Sequence, residues 1–400
     1  MTTALHDALS PADVAAANVL TRRWLASRKE IPAAASGLGV WPLLAMLAGG
    51  AIGKTHKELL RAVGLDAARA AALPRRLLDG ARAVEGLNLA LGVWAGPEVV
   101  LDPDWTASLP DAAIGSLTGD TAADKDALDA WAAANTDGII DAMPVELDGP
   151  VPIELLLASA LLVRTDWATP FAEASHWPFA AGPWSGLDRP RVLRATYNED
   201  VLRCTDRATV LTVRGRGDID VLLGLGPEGR APHQTTGALF DAVDPAWGRS
   251  ATALAVGEHA IGVQVSEYMG AYPQTRPEIG ATTVAFDLTA DLDLIGDAEA
   301  LGLTLAAHRR RAQFERLAAR RLYVSQARQT CTARFGATGF EAAAVTAMGM
   351  GAFTGAPPVL EHRHVRADVV FDRPFAYLAV HRPTGLVLVA GWVAAPALAP

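Results

Sequence analysis

The order in which two hydrophobic periods follow one another is the tightest constraint on this chain. Helical spacing dominates the beginning and strand patterning crowds the second half. Residues 11–28 place Val14, Val19, Leu20 and Leu25 near one face behind Ser10 or Asp13 as a cap, which predicts a helix. The unbroken apolar run 37–47, GLGVWPLLAML, predicts a buried helix, and 55–65 an amphipathic one with Thr55 as cap and Glu58 at the capping-box position. Further helices are expected over 124–136 and 306–321. Strands are expected over 87–94, 209–214, 219–225, 251–256, 260–265, 282–288, 367–371, 375–380 and 386–393. A doubly wound parallel sheet needs regular alternation of strand and helix, which is missing, so the pattern reads as α+β. With no internal repeat of about 20–50 residues and no Ser/Gly linker, one domain spanning 1–400 is expected.

Half of the residues are hydrophobic and 20% are charged, enough to bury a sizeable core and to exclude whole-chain disorder. Lys+Arg number 35 against 44 Asp+Glu, a net charge of −9 with no basic stripe, so no nucleic-acid partner is expected. Arg309, Arg310 and Arg311, with Arg316, Arg320 and Arg321, read as the solvated face of a helix. Two cysteines, Cys204 and Cys331, exclude a disulfide framework and any CxxC metal site, and read as inert buried thiols. The first twenty residues lack a basic stretch followed by an apolar run, which points to a cytoplasmic chain. The uncharged stretch 342–360 carries Gly349, Gly351, Gly355, Pro357 and Pro358, a load foreign to a membrane helix, so the chain reads as soluble with no membrane partner.

Motifs for catalysis are scarce. GxSxG, HExxH and GxxxxGK[ST] do not occur. Gly224, Gly226 and Gly229 form a GxGxxG, but Pro227 lies inside it and Pro232 follows, so a hairpin turn is expected instead of a dinucleotide-binding helix. His362 and His364 share one face of a strand; without a third ligand nearby they read as exposed histidines, with no metal and no cofactor implied. An enzyme is not expected.

The segment that demands an explanation is 336–358, GATGFEAAAVTAMGMGAFTGAPP. It is long, uncharged beyond Glu341 and rich in small residues, whereas disordered loops are normally polar. Repeated glycine breaks a helix at about 1 kcal/mol each. Small alternating side chains suit a strand that must slip between two others.

Six segments, in order, resemble the serpin family. They are 43–60 (LLAMLAGGAIGKTHKELL), 131–141 (WAAANTDGIID), 157–171 (LASALLVRTDWATPF), 284–302 (VAFDLTADLDLIGDAEALG), 336–346 (GATGFEAAAVT), and 371–396 (FDRPFAYLAV…LVLVAGWVAAP). The resemblance implies a serpin fold, α+β with three sheets, about nine helices and a reactive-centre loop near the C-terminus, over about 337–358. It also implies a monomeric suicide inhibitor of a serine protease in the extracellular space. In that mechanism the protease cleaves the loop, which then enters sheet A as a new strand. A non-inhibitory binding protein, whose loop is cleaved without trapping the protease, stands as the alternative.

By the same resemblance, the hinge comprises Gly339, Phe340, Glu341, Ala342, Ala343, Ala344, Val345 and Thr346. The inward-facing set after insertion is Phe340, Ala342, Ala344, Thr346, Met348, Met350 and Ala352. Phe340 would be first to enter, where the family commonly has Thr; overpacking of about 1–3 kcal/mol opposes burial worth about 1.5–3 kcal/mol. Ala337 replaces a Glu that the family often pairs with a Lys. Ser36, Gly39, Ser159 and Gln329 align with the polar shutter under the central strands, and Trp167 with the breach where the loop first enters. Counting seventeen residues from Ala337 places the reactive bond between Phe353 and Thr354, whereas counting back from Pro374 moves it as far as Arg363. Phe353 would select a chymotrypsin-like or subtilisin-like protease with a deep apolar pocket.

Overall fold

The computed structural model describes residues 4–110, 113–149, 152–174, 182–340 and 360–399. Among these lie nine α-helices and three sheets, an α+β architecture. Sheet A has the strand order Ile114–Ser116, Leu87–Ala95, Leu155–Val163, Val324–Phe335, Gly339–Phe340 and Thr165–Asp166, with Phe286–Asp293 also pairing Val324–Phe335. Sheet B runs Arg249–Ser250, Leu202–Cys204, Thr209–Val213, Ile219–Leu225, Phe375–His381 and Leu386–Val393. Sheet C runs His259–Ala260, Val263–Gly270, His362–Val370, Ile279–Val284, Val192–Tyr197 and Ala172–Ala174.

The chain gathers into two compact units. One comprises Met1–Val163, Thr289–Thr332 and Val380–Ala390; the other comprises Arg164–Leu288, Ala333–Ala379 and Gly391–Pro400. In the first, Ser10 opens the helix Pro11–Ser27 through a full capping box. The Asp13 amide donates to the Ser10 hydroxyl at 3.2 Å, and the Ser10 amide donates to Asp13 Oδ2 at 2.8 Å. The apolar run becomes the helix Gly37–Gly50, apolar all round and therefore buried. Leu155–Val163, LLLASALLV, is buried at every residue, as a central strand covered on both faces must be. It pairs antiparallel with Leu87–Ala95 and parallel with Val324–Phe335, the latter register running from Leu155 opposite Val324 to Ala160 opposite Thr330.

Several elements depart from the sequence reading. The second amphipathic helix begins at Gly53, so Thr55 lies inside it; the Thr55 hydroxyl accepts from the Gln313 amide, and Glu58 accepts from the Leu305 amide. Their polar atoms serve a neighbouring segment instead of the helix's own start. Residues 306–321 form successive single turns in place of a helix, and the arginines at 309–311 are exposed there. Residues 251–256 hold only a 3-10 turn, Ala251–Ala253. Gly262, at φ 68°, breaks 260–265 into His259–Ala260 and Val263–Gly270. The expected strand 282–288 is two strands, Ile279–Val284 in sheet C and Phe286–Asp293 in sheet A. The glycine motif is no hairpin: a helix, Pro232–Asp241, opens with Pro232 in its first turn, where the missing N–H is harmless. Gly226 lets it approach, since a Cβ there would lie 2.0 Å from Thr235 Oγ1.

Candidate functional site

The first unit builds a buried polar knot between strand and helix. Register places Ser159 directly opposite Gln329 in sheet A. Gln329 then reaches the chain at the start of the helix Gly37–Gly50. Its Oε1 accepts from the Ser36 amide at 2.9 Å, and its Nε2 donates to the Ser36 carbonyl at 2.9 Å and to Ser159 Oγ at 3.2 Å. Ser36 Oγ donates to the Leu388 carbonyl at 2.6 Å and accepts from the Gly39 amide at 3.2 Å, capping the helix. Ser36, Ser159 and Gln329 are all buried, so these bonds replace water that has no access. Gly39 has no room for a side chain: a Cβ would sit 2.7 Å from Ser159 Oγ and 2.8 Å from Gln329 Nε2. The four residues aligned with the shutter therefore meet in one network.

The second unit holds the beginning of a strand. Gly339 and Phe340 pair antiparallel with Asp166 and Thr165 on one side, and Phe340 pairs with Phe335 on the other. The turn that delivers them is gripped by its carbonyls. The Trp167 indole donates to the Gly336 carbonyl at 2.9 Å. The Phe171 and Trp167 amides donate to the Ala337 and Thr338 carbonyls, each at 2.8 Å, and the Gly336 amide donates to the Gly339 carbonyl at 2.9 Å. Trp167 is fully buried, with Phe335 at 4.9 Å and Phe171 at 6.5 Å between ring centroids.

Phe340 corrects the sequence expectation. The resemblance makes it the first residue to enter sheet A from outside; it is already inside, buried, with a strand on each side. Ala337 is also buried, so the missing carboxylate leaves an apolar position and no gap in charge. Glu341, Ala342, Ala343, Ala344, Val345, Thr346, Phe353 and Thr354 lie outside the described residues.

Sequence reasoning missed the brace behind Trp167. Trp167 bridges Gly215, whose absent Cβ would lie 2.1 Å from the Ile219 carbonyl oxygen and 2.2 Å from Thr165 Oγ1. Arg216 donates to the Trp167 carbonyl at 3.2 Å, and Asp220 accepts both from Arg214 at 2.7 Å and from the Gly215 amide at 3.1 Å. The only signal was RGRGD, which reads as an ordinary turn. The remaining candidates have local partners. On strand His362–Val370, His364 Nε2 meets the Tyr272 carbonyl at 2.6 Å and Nδ1 meets the Tyr268 hydroxyl at 3.2 Å. Cys204 and Cys331 are free and buried; burial pushes the Cys331 thiol up to about 12.

Fold and site together define a protein built round a sheet in which one strand position is begun by two residues. The family described as Serpin (serine protease inhibitor) matches residues 17–179 and 284–396. The chain belongs to the serpin family. It is 27% identical to serpin-Z5 of Oryza sativa subsp. japonica over 391 residues, 90% of this chain and 84% of that one. Among solved structures, the native state of the thermophilic serpin tengpin superposes with a TM-score of 0.73 at 18% identity, covering 96% of this chain and 94% of tengpin. Human thyroxine-binding globulin in complex with thyroxine superposes with a TM-score of 0.69 at 17% identity, covering 96% and 97%. Serpins act on serine proteases in general and are mostly inhibitors, not enzymes.

Proposed function

We propose that this chain inhibits a serine protease as a suicide substrate, acting as a monomer with 1–400 as one functional domain. The protease cleaves the reactive loop at Phe353–Thr354, and the freed hinge continues from Phe340 into sheet A as a full strand. The observation that supports this reading most directly is the doubly paired Gly339–Phe340. Only small side chains occur from Ala342 to Thr346, suited to a strand that passes between neighbours. Strands lie about 4.8 Å apart, so each residue that enters needs its flanking strands to separate by about that much again.

The target would be chymotrypsin-like or subtilisin-like, with an apolar primary pocket. The test is to mix the protein with chymotrypsin, resolve the products by denaturing gel electrophoresis and locate the cut by mass spectrometry. An SDS-stable complex, cut after Phe353, supports the proposal. Ala344→Arg should abolish the complex while leaving the loop cleavable, because an unpaired charge would have to enter the core.

A binding role without protease trapping is the second reading. It is favoured by Ala337 and by Phe340, whose ring replaces the Thr common in the family at the hinge. Complete cleavage without any stable complex would establish it over the first.

A further inference from the structure

Two stretches distant in sequence bring cations together in the first unit. In the helix Gly53–Val63, Lys54, Lys57 and Arg61 recur at the spacing that puts side chains on one face, and all three are exposed. Segment 302–316 lies alongside that helix. A Cβ on Gly302 would lie 2.4 Å from that of Ala62, the Leu305 amide donates to Glu58 Oε2 at 2.8 Å, and the Gln313 amide donates to the Thr55 hydroxyl at 3.2 Å. The Arg316 amide then reaches the Gly50 carbonyl at 3.2 Å. Between the contacts at Glu58 and Thr55 the segment makes a tight turn, in which the Arg311 and Ala312 amides both donate to the His308 carbonyl at 3.0 Å. Arg309, Arg310 and Arg311 are exposed on that turn, and Arg316 is exposed beyond it. Glu58, four residues from Lys54 and three from Arg61, neighbours both on the helix surface, so the turn it holds stands beside the cationic face.

These charges are left unneutralised. Arg320, four residues past Arg316, pairs with Glu154, but among the described residues none of the seven cations forms an ion pair. The stretches 53–63 and 305–316 contain only two acids: Glu58, whose carboxylate is held on the Leu305 amide, and Glu315. The net charge of −9 therefore conceals a local excess of positive charge.

We propose that this face is a docking surface for the phosphate backbone of a nucleic-acid duplex, a role independent of the inhibitory reading. Three features fit that partner. A duplex carries one charge per about 1.7 Å of its axis, and Lys54 to Arg61 spans about 10 Å of helix, so the cations face about as many phosphates as they number. Five of the seven are arginine, whose planar fork takes a phosphate through two N–H bonds. Phe314 is the one aromatic residue in the two stretches and is buried. That leaves no platform for the bases of a single strand and no interfacial anchor for a membrane.

The test titrates the full chain against a fluorescently labelled DNA duplex of about 30 base pairs and arbitrary sequence, over a series of salt concentrations. Three variants accompany the parent: Arg309→Ser/Arg310→Ser/Arg311→Ser, Lys54→Gln/Lys57→Gln, and a control, Lys29→Ser/Arg230→Ser/Arg276→Ser, which removes three exposed cations elsewhere. The parent's log K should fall with log salt at a slope of about −5 to −6. The arginine variant should bind at least about tenfold more weakly at about 50 mM salt, with the slope reduced by about 2–3, and the lysine variant should reduce it by about 1–2. The control should stay within about twofold of the parent, and all should melt as the parent does. Absence of duplex binding by the parent overturns the proposal. So does an equal loss in the control, which would trace binding to net charge, or full affinity in both patch variants. Tighter binding of dextran sulfate or of phosphatidylserine vesicles than of the duplex overturns it as well, by assigning the face to another polyanion.

Discussion

Phe340 packs its ring 6.4 Å from that of Tyr377, and Tyr377 in turn lies 5.1 Å from Phe286, which stacks on Phe335 at 5.2 Å. Phe340 is thus part of an aromatic core. Phe340→Ala should lower the unfolding free energy of the intact protein by about 3–5 kcal/mol, the usual effect of emptying a buried aromatic site. Urea titration followed by tryptophan fluorescence checks this. A change below about 1 kcal/mol would mean that the seat is not occupied in solution.

The polar knot predicts two losses of different origin. Gln329→Ala removes the partners of the buried Ser36 amide and carbonyl, and each buried polar group left unpaired costs about 1–3 kcal/mol. Gly39→Ala keeps the partners but forces a methyl against Ser159 and Gln329, an overpacking of about 1–3 kcal/mol. In a double variant the two effects should not add, because alanine at 329 vacates the space that the new methyl needs. Denaturation of the three variants measures the coupling.

Cys331 supplies a pH dependence with a definite sign. Its thiol is raised by burial from 9.0 to about 12 in the folded chain. The unfolded chain therefore releases this proton first as pH rises, and folding loses the corresponding stability between about pH 9 and pH 12. Below pH 9 the contribution is fully present. Cys331→Ala should flatten the fall in stability across that window, measured by thermal melts from pH 7 to 11. In the parent protein at pH 8 the thiol should resist iodoacetamide until denaturant is added.

Loop cleavage gives the broadest test of the proposed mechanism. If the segment after Phe340 enters sheet A, nicking it should raise the melting temperature well beyond the effect of a point substitution, because a whole strand gains its hydrogen bonds. Superimposable melts of intact and nicked protein would rule insertion out.

Much of the framework was legible because local pattern and tertiary role agree. The capping box at Ser10, the apolar run after Gly37 and the covered strand LLLASALLV each state in sequence the environment that they occupy. The stretch 306–321 misled because Phe314 and Leu317 are spaced as on a helix, yet they close one isolated turn, the Leu317 amide donating to the Phe314 carbonyl at 2.8 Å, with Gln313 bonded to Thr55 and Ile52. The seat of Phe340 was not legible at all. It depends on pairing with Thr165 and Phe335, one of them far away in the chain, and on the Gly215 brace, and no periodicity encodes either. The shutter residues could be placed only through the family resemblance, since Ser36, Ser159 and Gln329 carry no pattern of their own.

The doubly paired Gly339–Phe340 changes which step can limit the rate of strand addition. Starting a strand between two others is the slow event in building a sheet, since the first residue is fixed before cooperative neighbours repay the lost freedom. Here that nucleus already exists. In the proposed insertion, the chain beyond Phe340 would have only to propagate, one residue at a time, from an end that is already formed. The speed of that proposed insertion would then rest on how easily each successive side chain, beginning with Glu341 and Ala342, parts the strands ahead of it, and no longer on finding the way in.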